Sequence, residues 1–259
     1  MDNKNSIGIF DSGMGGISVL ADCIRILPKE NFIYYGDSKN APYGIKTTEE
    51  VMELSENVCN YLIKKNVKAI VVACNTATSA SINILRQRYN VPIIGMEPAI
   101  KPAIENYDGL IAVLATEVTL REKKFNNLLK VYGTNRKIVK IPCPNLVEIV
   151  ENGIVDGKIA IREIEKCFEV IDISKISTIV LGCTHFVFLK STIKSIVGNA
   201  INIIDGNVGT VNNLKSILKS NRILNTENSN QHIEFNNSGS EEDVLRSKKL
   251  LKIYSENAK

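Results

Sequence analysis

Histidine is scarce in this sequence of 259 residues, which has only His185 and His232. Two imidazoles cannot assemble a multi-histidine metal centre, and no metal is expected. The six cysteines (Cys23, Cys59, Cys74, Cys143, Cys167, Cys183) include no C-x-x-C pair, so neither a disulfide framework nor a structural zinc site fits. No apolar run approaches the roughly 20 residues that span a bilayer, and the opening Met1–Ser6 is too polar for a secretory signal. A cytoplasmic protein without a membrane partner is expected. Basic residues (32) and acidic residues (28) nearly balance at a net charge of +4, and the lysines are scattered. With no dense basic stripe for a phosphate backbone to follow, nucleic acid is not expected as a partner.

What is present is an alternation of short β-branched runs with longer helical patterns. Ser6–Phe10 precedes Gly15–Ile26, Phe32–Tyr35 precedes Thr47–Lys65, and Ala69–Ala73 precedes Thr76–Arg88. After the Pro/Gly-punctuated stretch from Val91 to Pro98 the alternation restarts with Leu110–Leu114, a helix through about Val131 and the strand Lys137–Ile141. Ile159–Ile171, Thr178–Leu181, Ile201–Ile204 and a helix to about Ser220 follow, and His232–Phe235 with Glu241–Tyr254 closes the pattern. Strand–helix alternation predicts an α/β fold with mostly parallel sheets flanked by helices and functional loops at the carboxyl ends of the strands.

The chain reads as a duplication. Ala69–Thr76 and Thr178–His185 each carry an apolar strand, a small residue, a cysteine and a polar pair. The first strands also match, Ile7 with Ile111 (104 residues on), while Cys74 and Cys183 are 109 apart. A period this long predicts two pseudo-symmetric domains rather than a solenoid. The division expected is 1–97 with 208–259, carrying Cys74, against 98–207, carrying Cys183. Facing copies would put the two sulfurs on opposite walls of one interdomain cleft.

One cysteine is commonly an inert core residue. Two at equivalent strand ends, each entering a helix whose dipole favours thiolate, point to function. A thiolate and a thiol on opposite sides of a carbon can remove a proton from one face and return one to the other, which is racemisation or epimerisation without a cofactor. Such a site must stabilise negative charge and fix the thiol protonation states. Asp11–Gly16 follows the first strand with tight-turning glycines, exposed amides and the Ser12 hydroxyl, and His185 lies two residues beyond Cys183.

Four motifs carry a family resemblance: I-x-I-F-D-S-G-x-G-G at Ile7–Gly16, Y-Y-G-D-x-x-x-x-P-Y-G at Tyr34–Gly44, A-C-N-T-A at Ala73–Ala77 and L-G-C-T-H at Leu181–His185. In this order they resemble the glutamate racemase family, and the likeness extends to F-x-x-S-G at Phe235–Gly239. The resemblance implies a cytoplasmic homodimer that supplies D-glutamate for peptidoglycan without pyridoxal phosphate. Cys74 would exchange the proton of the D-enantiomer with help from Asp11, and Cys183 that of the L-enantiomer with help from His185. Glu151, eight residues after Cys143, would complete the catalytic set. Substrate contacts are implied for Asp11, Ser12, Tyr43, Gly44, Asn75, Thr76, Thr184 and His185, and Thr119 can offer a further hydroxyl.

Two positions depart from the family pattern. Glu148 replaces a usual proline, on a helix face that reads as solvated, and Glu122 stands where a second hydroxyl is common beyond Thr119. Three other readings compete. Racemisation of aspartate differs by one methylene, worth only about 1–3 kcal/mol of discrimination. A non-catalytic carboxylate-binding module would have no need of two thiols. A nucleotide-dependent oxidoreductase would use the glycine-rich turn, but Ser18 stands where G-x-G-x-x-G requires its third glycine.

Overall fold

In the computed structural model the described residues are 2–96, 98–121, 126–127, 130–131, 138–227 and 230–257. The expected positions Glu97, Glu122 and Lys137, and much of the helix expected to run through Val131, lie outside them.

The run Ile7–Asp11 is buried at every position, as befits a parallel strand covered on both faces. It forms β1, followed by α1 (Ile17–Ile26), β2 (Phe32–Gly36), α2 (Thr48–Lys64), β3 (Ala69–Val72), α3 (Asn75–Arg88) and β4 (Ile93–Gly95). Thr47 caps α2 in a reciprocal box: its hydroxyl accepts from the Glu50 amide, while the Glu50 carboxylate accepts from the Thr47 amide. Next come α4 (Ile100–Asn106), β5 (Leu110–Ala115), α5 (Glu117–Arg121), β6 (Ile138–Pro142), α6 (Asn145–Glu151), α7 (Gly157–Phe168), β7 (Ile176–Leu181), α8 (Lys190–Val197), β8 (Asn202–Asp205) and α9 (Asn207–Ser220). The strand β9 (Ile233–Asn237) and the helix α10 (Glu241–Asn257) complete the described order. Four of these elements, β4, α4, α6 and α8, have no range of their own in the sequence pattern. Each is eight residues or fewer, too short to establish a period.

All described strand pairs are parallel. One sheet has the order β4-β3-β1-β2-β9 and the other β6-β5-β7-β8. Read in one direction, β2-β1-β3-β4 and β6-β5-β7-β8 are the same arrangement, which is the duplication in topological form. Side chains alternate across each sheet. Ile7 and Ile9 pack with α1 and α9 through Leu20 and Leu214, whereas Phe10 packs with α2 and α3 through Leu62 and Leu85. In the second sheet Ala112 and Leu114 face α6–α8, while Ile111 and Val113 face α4 and α5.

In both sheets the chain leaves the first strand toward one side and the third toward the other, so a crevice opens at their carboxyl ends. Asp11 and Cys74 stand there in one half, with Thr116 and Cys183 in the other.

At the opposite end of the first sheet, Lys68 leads into β3. Its ammonium is fully buried, 2.5 Å from the equally buried Glu30 carboxylate, whose other oxygen accepts from the Asn225 amide. Lys68→Ala should therefore cost about 3–5 kcal/mol, because it strands the Glu30 charge. Urea unfolding measures this, and a loss under about 1 kcal/mol would contradict the pairing.

Candidate active site

Cys74 follows β3 and caps α3: the Ala77 amide donates to its Sγ at 3.4 Å, and Sγ lies 3.5 Å from Ser12 Oγ. Burial pushes this thiol up to about 12, with the Asp11 charge acting in the same direction, and the contacts to Ala77 and Ser12 only partly oppose them. At neutral pH Cys74 is a thiol.

Cys183 follows β7 but enters a single 3-10 turn, His185–Leu189, before α8 begins. The helix-start setting expected for both cysteines is thus present in full only at Cys74. Its place at Cys183 is taken by an imidazole: His185 Nδ1 is 3.6 Å from Sγ, and Nε2 is 2.5 Å from Glu151 Oε1. Burial by itself would drive the His185 pKa down, but the bonds to Cys183 and Glu151 outweigh it and hold the ring well above its ordinary value. The Gly15 amide is 3.2 Å from the same Nε2. With a carboxylate oxygen nearer, the ring proton on Nε2 goes to Glu151.

The glycine-rich loop serves these side chains. Gly13 N–H donates to Asp11 Oδ1 at 3.1 Å and Met14 N–H to Glu151 Oε1 at 2.6 Å. Side chains at Gly13 and Gly15 would collide with Glu151 and His185 respectively, so close approach requires glycine at both. These amides are already engaged, which removes the phosphate cradle that an oxidoreductase would need. Thr184 Oγ1 donates to Asp11 Oδ2 at 3.0 Å, joining the second half of the chain to the first. Asp11 is fully buried. Burial raises its carboxyl, against the opposing pull of the His185 charge and the Gly13 and Thr184 bonds.

A narrow cavity lies where the two sheets' loops meet. Cys74, Asn75, Thr76 and Ser12 line it from one half, and Cys183, Thr184 and His185 from the other. Tyr43 and Gly44 form part of the wall. Asp11, Glu151 and Thr119 do not reach the surface of this cavity but stand behind it. Thr119 is fully buried, its hydroxyl 3.2 Å from Thr76 Oγ1 and 3.0 Å from that of Thr116. Glu148 is exposed on α6, while Glu122 is outside the described residues.

Sequence reasoning missed Thr116, which lines the cavity, as do Pro42 and Val147. A signal for Thr116 existed: the 104-residue offset that pairs Ile7 with Ile111 also pairs Ser12 with Thr116. The Asn75 Oδ1 is buried and has no hydrogen-bond donor among the described residues, an acceptor left open beside the cavity. Among the described residues no group of three or more His, Cys, Asp or Glu side chains could hold a metal ion, and no helix is long and apolar enough to cross a membrane.

Relatives share both sequence and fold. A glutamate racemase of Clostridium botulinum is 50% identical over 244 residues, covering 94% of this chain and 95% of the relative. The crystal structure of a glutamate racemase isoform from Bacillus anthracis superposes with a TM-score of 0.84 at 33% identity, covering 93% of this chain and 91% of that one. The glutamate racemase of Francisella tularensis, solved in complex with D-glutamate, gives 0.83 at 27% identity over 98% of this chain and 94% of its own. The profile of the Asp/Glu/Hydantoin racemase family matches residues 7–214. With most of its length matched, its two parallel sheets alike in strand order and its paired cysteines on one cavity, the chain belongs to the Asp/Glu/Hydantoin racemase family.

Proposed function

We propose that this chain interconverts L- and D-glutamate by two-base proton transfer between Cys183 and Cys74. The observation that carries this reading is that both sulfurs line one cavity from the ends of equivalent third strands. Their surroundings are unlike. Cys183 stands 3.6 Å from the His185 ring, a cation that suits it to act as the base, while burial and the Asp11 charge keep Cys74 a thiol.

From the L-enantiomer, the Cys183 thiolate takes the Cα proton and the Cys74 thiol delivers its own to the opposite face. The C–H bond broken on one side is replaced on the other, and the thiolate has moved from Cys183 to Cys74. The return reaction runs the same steps backward, with Asp11 beside Cys74. Negative charge developing at Cα and in the α-carboxylate needs fixed donors, and the hydroxyls of Ser12, Thr76 and Thr116 are at the cavity to supply them. The open Asn75 Oδ1 suits the substrate ammonium. Both bases belong to the chain, so the reaction so written calls on no cofactor. The division into 1–97 with 208–259 and 98–207, and an active site in the cleft between them, is supported by sheet membership, since β9 returns to the first sheet beside β2. We further read the protein as a cytoplasmic homodimer supplying D-glutamate for peptidoglycan, as its kinship with glutamate racemases implies.

In deuterated water either glutamate enantiomer should yield the opposite one labelled at Cα. Cys74→Ala and Cys183→Ala should each abolish racemisation. Efficient labelling of aspartate but not glutamate would replace the substrate, and full activity in either variant would defeat the mechanism.

The thiol states have their own check. A small alkylating reagent near pH 7 should modify Cys183 before Cys74, since a group whose pKa is raised to about 12 gains thiolate character only as the solution approaches that pH. Peptide mass spectrometry showing Cys74 modified first would reverse the assignment.

A further inference from the structure

The Glu151 carboxylate reaches His185 from the last residue of α6, so its aim depends on how that helix ends. A helix C-terminus leaves its final carbonyls without partners inside the helix. The Glu151 carbonyl accepts a 3.0 Å hydrogen bond from Arg246 Nη1, which comes from α10, 95 residues further along the chain. The Arg246 charge is balanced within its own helix, by Glu242 at 2.9 Å and Asp243 at 3.7 Å. What reaches α6 is thus chiefly a directed donor. A second strand of contacts arrives from the same closing segment: Asn237 Nδ2 donates to Ser38 Oγ at 3.0 Å, and Ser38 Oγ lies 3.5 Å from Glu151 Oε2. Both Asn237 and Arg246 lie beyond residues 7–214, the part of the chain that the family profile matches.

We propose that Arg246 is a positioning residue for the racemisation step at Cys183: by holding the Glu151 carbonyl it keeps the Glu151 carboxylate on His185 Nε2, and so keeps His185 Nδ1 against the Cys183 sulfur. The proposal rests on the reading of His185 as the partner of Cys183. It assigns to the terminal helix a part in only one of the two proton transfers, the one on the L face.

That one-sidedness is measurable. Enantiomers have equal free energy, so any variant must change kcat/KM equally in both directions, and a rate ratio carries no information about sides. Isotope effects do. If the Cys183 transfer is slowed, removal of the substrate's own proton limits the L-to-D direction, whereas delivery of a solvent-derived proton limits D-to-L.

Arg246→Ala should lower kcat/KM by about 10- to 100-fold, the scale of a small misplacement in an active site. The isotope effect with α-deuterated L-glutamate should rise, and that with α-deuterated D-glutamate should fall toward unity. Arg246→Lys, which keeps a donor within reach of the carbonyl, should restore both effects toward wild type. If the alanine variant does not fold, Arg246→Gln, too short to reach, gives the same reading.

An unchanged rate, or a loss with no divergence of the two isotope effects, would overturn the proposal. His185→Asn serves as the reference. If it shows the divergence and the Arg246 variants do not, the positioning role falls alone. If neither shows it, the pairing of His185 with Cys183 falls and takes the proposal with it.

Discussion

The contact between His185 Nε2 and Glu151 Oε1 is the one on which the rest of the site depends. A buried imidazole without a partner tends to neutrality, and a buried thiol without a cation beside it stays protonated. The carboxylate reverses the first tendency, and the charged ring it maintains lies 3.6 Å from the Cys183 sulfur. The same Glu151 oxygen accepts from the Met14 amide of the glycine-rich loop, so the group that charges His185 also ties the second sheet's loops to the first sheet's. Charge state and closeness of the two halves are thereby set together. Cys74 stands under the opposite influence, with the Asp11 charge as its neighbour. The two sulfurs therefore meet unlike neighbours, a cationic ring at one and a carboxylate at the other, as the proposed transfer between opposite faces needs.

Duplication explains how two such sulfurs come to share a cavity. In each sheet the third strand lies beside the first at the point where strand order reverses, and its carboxyl end opens into the crevice. Once copied, the arrangement supplies two loops from each half. The copies have since diverged where the chemistry is asymmetric. Cys74 keeps an α-helical cap, whereas Cys183 exchanges it for a histidine. Where the first half has the Ser12 hydroxyl after its first strand, the second has that of Thr116, which bonds to Thr76 and Thr119. The closing segment, with β9 on the first sheet and α10 reaching to the end of α6, belongs to neither copy and spans both.

Much of this was legible in the residues. Parallel strands buried on both faces read as continuous apolar runs, so β1, β3, β5 and β7 stand out to within a residue or two. Cysteines at the ends of two of them were visible as a repeated pattern, and nine of the expected site residues line the cavity. Less legible was anything fixed by contact rather than by period. That Asp11, Glu151 and Thr119 stand behind the wall follows from tertiary packing. The loop amides read from sequence as ready for a ligand carboxylate, yet the carboxylates of Asp11 and Glu151 accept from those of Gly13 and Met14, one of them reaching the loop from a distant segment. Arg246 lies in a charged amphipathic helix whose pattern says only that one face meets solvent, and nothing local connects it to Glu151.

A crystal structure with glutamate bound would show where the substrate's Cα sits relative to Cys74 and Cys183. Cα should lie between the two sulfurs, each approaching an opposite face to about 3.5 Å, near the separation of reacting atoms poised for transfer. A bound glutamate whose Cα had both sulfurs on one side, or had either beyond reach, would contradict the two-base transfer.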